Sequence, residues 1–75
     1  MVDPKVSMIM SLIVDRFACD GGIAQNLATQ IFNANPQMSN AQITNLLARQ
    51  FNVTGAGVLL LSDETSKDIE NVLNA

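Results

Sequence analysis

Apolar residues recur at helical spacing along nearly the whole chain, interrupted by short clusters of polar and turn-forming residues. Asp3-Pro4 reads as a helix start, because a carboxylate accepts hydrogen bonds from the free N–H groups of a first turn and proline has no N–H to leave unsatisfied there. This first helix is expected to run from Pro4 to about Cys19. Val6, Ile9, Met10, Ile13 and Phe17 form one broad stripe on its wheel, Met8 and Leu12 fall on another side, and Ser7, Ser11 and Asp15 make a polar line. A helix with apolar groups on two sides is either the central helix of a bundle or part of an oligomer contact. Asp20-Gly21-Gly22 is expected to close it, since glycine reaches the left-handed conformation that ends a last turn. A second helix, from Ile23 to about Asn33, would bury Ile23, Leu27 and Ile31 beside Ala24 and Ala28. Gln25, Asn26, Thr29, Gln30 and Asn33 would form its outer face. The run Asn33 to Pro36 stops it, because proline restricts the residue before it.

The third helix has the best-marked start in the chain. Ser39 and Gln42 form the capping-box pattern, with Met38 and Ile43 at hydrophobic-staple positions, and Ile43, Leu46, Leu47 and Phe51 define its buried face. Asn52 to Thr54 reads as a turn, with Thr54 able to cap the next helix. Gly55–Leu61 fits a short helix or a strand, because two glycines weaken the helical alternative. Ser62 then looks like an N-cap with Asp63 and Glu64 in the first turn of a last helix, Asp63 to about Leu73. That helix would turn Ile69, Val72 and Leu73 inward and Asp68, Glu70 and Asn71 outward, with Asp63 and Lys67 paired at i, i+4. The expected fold is a single all-α domain over residues 1–75, a small four- to five-helix bundle.

Composition narrows the chemistry. A 75-residue chain that is 48% hydrophobic and 15% charged is a folding chain. A domain of this size buries only roughly 60–65% of its unfolded surface. A partner or a second copy is one way to complete so thin a core. Four basic residues, Lys5, Arg16, Arg49 and Lys67, stand against seven acidic ones, and the net charge of −3 disfavours nucleic acid and anionic lipid as partners. There is no histidine, and the single cysteine, Cys19, has no evident base beside it, so we expect no enzyme and no catalytic residues. Cys19 reads as a buried inert thiol, and one cysteine excludes an internal disulfide framework. The acidic tail lacks the alternating oxygen ligands and central glycine of a calcium loop, so neither a metal nor a cofactor is expected. The apolar run Val6–Val14 is too short to cross a bilayer and is flanked by Asp3 and Asp15-Arg16, against the pattern of a secretion signal. The sequon Asn52-Val53-Thr54 is then turn chemistry, and a cytoplasmic location is expected.

Two resemblances bear on function. Thr44–Leu61 resembles the helix-turn-helix of DNA-binding regulators: its apolar places fall on Leu47, Phe51, Val53, Val58 and Leu61, its small residue on Ala48, and its turn on Asn52, where most members have glycine. The resemblance implies a crossing helix pair that presents Ala56, Gly57, Leu59, Leu60 and Asp63 on or near a DNA-facing surface. Reading base edges takes Arg, Lys, Asn or Gln, and this set holds none of them. The chain is also similar to acyl carrier proteins in Phe51-Asn52-Val53 and in the stretch Asp68–Leu73. That family carries its prosthetic group on the serine of an Asp-Ser-Leu motif. The nearest candidate here is Ser39, without either flanking residue, and capping accounts for it.

The leading expectation is therefore a non-enzymatic protein-interaction or self-association module, a homodimer or a complex with another protein. Met8, Leu12, Leu59 and Leu60 are its candidate contact residues, since apolar groups left over on a small domain mark protein contacts. The same leucines could instead complete an ordinary core. A helix-turn-helix regulator and an acyl-carrier-like protein are the alternatives.

Overall fold

The computed structural model describes residues 3–34, 37–51 and 56–75, with backbone alone for 56–59. Among them lie four helices and no strand: α1 (Pro4–Phe17), α2 (Gly21–Asn33), α3 (Asn40–Gln50) and α4 (Ala56–Leu73). The all-α expectation holds.

The Asp3 carboxylate accepts from the Lys5 N–H at 2.9 Å with Pro4 in the first turn, so α1 begins where local chemistry demands. Its end differs from expectation. Ala18, not a glycine, takes the left-handed conformation at φ 49° and returns its N–H to the Val14 carbonyl. Asp20 is then the N-cap of α2, accepting from the Gly22 N–H at 3.0 Å, and both glycines belong to that helix's first turn. The Asp20 carboxylate thus opens α2 at the place where the glycine pair was expected to close α1. The helix α3 starts with a complete capping box: Ser39 Oγ accepts from Gln42 N at 3.3 Å while Gln42 Oε1 accepts from Ser39 N at 2.9 Å.

The largest correction concerns the C-terminal third. Gly55–Leu61 and Asp63–Leu73 were expected as separate elements, yet Ala56–Leu73 is one continuous helix of 18 residues. Ser62 is not a cap. It is fully buried within α4 together with Thr65 and Ser66, on the face that continues to Ile69. The turn at Asn52 and the cap at Thr54 lie outside the described residues.

The core comprises Val6, Ile9 and Ile13 of α1, Ala24, Leu27, Ala28 and Ile31 of α2, Ile43 and Leu47 of α3, and Ile69 of α4. The helices pack as two hairpins, α1 with α2 and α3 with α4, joined where α1 meets α4. Small residues one turn apart, Ala24 and Ala28 in the first hairpin and Ser62 and Ser66 in the second, allow close helix approach. Ile23, expected in the core, is 40% exposed, and the alanines beside it take the buried places. The outer face of α2 is exposed as expected.

Three contacts fix the hairpins against each other. Lys5 Nζ donates to the carbonyls of Leu73 at 3.2 Å and Ala75 at 3.1 Å, which makes α1 and α4 antiparallel. No basic residue stands in the last turn of α4, so this ammonium from another helix meets the negative end of its dipole. Arg16 donates to Asp68 at 2.8 Å near the other end of the seam. The rings of Phe17 and Phe51 stack with centroids 4.4 Å apart and planes within 5°, tying the end of α1 to the end of α3.

Candidate functional site

Where α1 and α4 meet, an open groove of about 880 Å3 runs along the seam. The α1 side is Ser7, Met8, Met10, Ser11, Leu12, Val14 and Asp15, and the α4 side is Asp68 and Val72, one turn apart. Helix geometry explains the composition. The stripe that α1 commits to the core is narrow, Val6, Ile9 and Ile13, so the apolar groups on its flanks remain at the surface. Met10, Leu12, Val14 and Val72 are half-buried and pack against the core from outside, whereas Met8 is 54% exposed.

Two of the residues singled out from sequence, Met8 and Leu12, therefore meet in one groove. Leu12 serves both readings, since it touches the core and lines the groove. Leu60 is 63% exposed on α4 but is not part of the groove, and the side chain of Leu59 lies outside the described residues. The contribution of α4 escaped sequence reading. Asp68 and Val72 at i, i+4 mark one face of α4, but which helix opposes that face is a tertiary fact.

At one end the groove adjoins a smaller depression lined by Arg16, Leu61, Glu64, Lys67 and Asp68, so Asp68 belongs to both. The cations here are engaged: Arg16 with Asp68, and Lys67 with Asp63 at 3.2 Å. Asp63 also accepts from the Asn40 side-chain amide at 3.0 Å. That amide first, and the Lys67 ammonium second, hold its carboxyl below the ordinary carboxylate value. Asp15 and Glu64 are exposed carboxylates with no ion pair among the described residues.

A second polar feature lies between α3 and α4. The Asn40 backbone carbonyl accepts from the Thr44 hydroxyl at 2.8 Å, and the Ser66 hydroxyl lies 2.8 Å from that carbonyl and 2.6 Å from Asn40 Oδ1. Ser62 Oγ and Thr65 Oγ1 are buried on the same helix without a hydrogen-bond partner among the described residues. Ser39 is exposed and serves as a cap, and Cys19 is half-buried. Among the described residues no group of three Cys, Asp or Glu side chains is placed to hold a metal ion, and no helix is long and apolar enough to cross a membrane. Comparison with protein-family models, with curated proteins and with solved structures gives no match to this chain.

Proposed function

We propose that this chain is a non-enzymatic helical module that acts by protein contact, seating a partner protein or a second copy of itself in the α1/α4 groove. The observation that carries this reading is the groove itself. Met8 and Leu12 line it with Met10, Val14 and Val72, so the apolar surplus read from the sequence is gathered into one continuous depression. Contiguous apolar surface of this kind on a small domain marks an association site. Leu60 offers a separate exposed apolar group on α4.

The test is solution mass and footprint. Light scattering across a roughly hundredfold concentration range reports self-association by mass action. Amide shift changes then locate the contact. For a self-associating chain, Met8→Lys returns the mass to that of a monomer; for a monomeric chain, Met8→Lys abolishes retention of its partner. Unaltered mass and partner retention in a folded Met8→Lys variant would overturn the groove as the contact site, and an effect of Leu60→Glu alone would move the contact to that separate residue on α4.

A further inference from the structure

We propose that the occupant of the α1/α4 groove is a cationic amphipathic helix of a partner protein. This rests on the groove being an association site, and names what it selects. The charge of the chain is unevenly placed. The helices α1 and α4, with the Asp3 cap, hold six acidic residues (Asp3, Asp15, Asp63, Glu64, Asp68, Glu70) and three basic ones (Lys5, Arg16, Lys67), which leaves −3. Asp20 and Arg49 elsewhere cancel, so the two helices that form the groove carry the entire net charge.

The three cations of this pair are committed within it. Arg16 is bound to Asp68, Lys67 to Asp63, and Lys5 to the last carbonyls of α4. What the groove presents to a visitor is an apolar floor with the Asp15 carboxylate, unpaired among the described residues, and the Arg16-bound Asp68 at its margin. In the adjoining depression the likewise unpaired Glu64 stands beside the ion-paired Arg16 and Lys67, so carboxylates still outnumber cations along the two by three to two. A second copy would bring the same uncompensated negative charge, and like charges across an interface are a strong penalty. A small molecule would stay largely in water, because the groove is open along its length.

Dimensions and side-chain type favour a helix. Ser7 to Asp15 covers about 12 Å of α1 at the helical rise, which matches two turns of a partner presenting apolar anchors at i, i+3/i+4 and i+7. Met8 and Met10 are unbranched and adjust to differing anchors, a property of surfaces that accept amphipathic helices. Lysine or arginine at one end of the anchors would meet Asp15 and Glu64, which lie at the same end of the groove.

The probes are two fluorescein-labelled designed peptides with identical leucine spacing, one filled with lysine and one with glutamate. Each is titrated by anisotropy against the full chain, with amide shifts recorded at saturation. The lysine peptide is expected to bind saturably, to move signals of residues 7–15 and Val72, and to bind roughly tenfold more weakly to a double variant, Asp15→Asn with Glu64→Gln. Met8→Ser should abolish binding with the helical spectrum intact. Equal binding of both peptides, or shifts confined to another surface, overturns the cationic-helix assignment and leaves the association site standing. Failure of both peptides while Met8→Ser lowers the solution mass also overturns it, in favour of a second copy. Failure of both peptides with no change of mass or partner retention in Met8→Ser or Met8→Lys removes the association site as well.

Discussion

Replacing Thr65 with valine exchanges a buried hydroxyl for a methyl group of nearly the same size, and the surroundings of that hydroxyl fix the sign of the effect. Thr65 is fully buried on α4, and its Oγ1 has no hydrogen-bond partner among the described residues. An unsatisfied buried hydroxyl costs about 1–3 kcal/mol in proteins. The replacement methyl adds apolar burial of about 0.8 kcal/mol, and threonine and valine have nearly equal helix propensity. Taking only the lower part of these figures, Thr65→Val is expected to stabilise by about 1–2 kcal/mol. In a domain of this length each kcal/mol moves the midpoint by about 4–8 °C. Ser66→Ala, one position along, should act in the opposite direction. It removes the hydroxyl that bonds Asn40 at 2.8 and 2.6 Å and costs about 1 kcal/mol. Urea unfolding followed by helical ellipticity measures both, with equal slopes required for the comparison. A loss of about 1 kcal/mol or more in Thr65→Val would refute the reasoning, because the hydroxyl would then be a bonded group.

The two glycines of α2 should respond differently to alanine. Gly21 has open space where a Cβ would go, so Gly21→Ala should stabilise by about 0.5–1 kcal/mol. A Cβ on Gly22 would lie 2.9 Å from the capping carboxylate of Asp20, so Gly22→Ala should disturb the cap and forfeit that gain; thermal midpoints of both variants decide. Asp63 contributes stability at neutral pH that is lost as pH falls through its depressed pKa, because its carboxyl is held low in the folded chain and not in the unfolded one. The stability gap between wild type and Asp63→Asn should therefore narrow below the ordinary carboxylate range, and a gap constant with pH would contradict the Asn40 and Lys67 contacts. Phe51→Leu removes the stack on Phe17 and should cost about 1 kcal/mol, whereas the same change in a Phe17→Leu background should cost less, the difference being the coupling of the rings.

Sequence made the starts of α1 and α3 legible, those of α2 and α4 not, and the buried faces only in part. Asp3-Pro4 and the pair Ser39/Gln42 declare themselves because capping is local, decided within four residues. Gly21-Gly22 misleads because a glycine pair is compatible with the end of one helix and the start of the next, and Ala18 accepts the left-handed place that glycine was expected to fill. The continuity of α4 was hidden by its own buried face. Ser62, Thr65 and Ser66 occupy positions where the helical period calls for large apolar groups, and serine before two acids imitates a cap. Their small size serves the approach of α3, which is a property of the helix pair. For the candidate site, Met8 and Leu12 were visible as apolar residues off the main stripe of α1. Val72 and Asp68 became part of it only when antiparallel packing set α4 beside α1.

The two-hairpin arrangement also dictates an order of events. The α1/α2 and α3/α4 contacts join neighbours in sequence, whereas the seam joins residues far apart, such as Lys5 with Leu73 and Arg16 with Asp68. Short loops close at least entropic cost, so the hairpins are expected to form first and the seam last, an order that mutational effects on folding rate at Arg16 and Ala28 would test. On the return path, separation of the hairpins is the natural first opening, and amide exchange would report it as a unit distinct from global unfolding. A ligand in the groove touches α1 of one hairpin and α4 of the other, so it binds the docked arrangement and opposes that opening. Occupancy would therefore tie the two hairpins together at the contact that joins the most distant parts of the described chain.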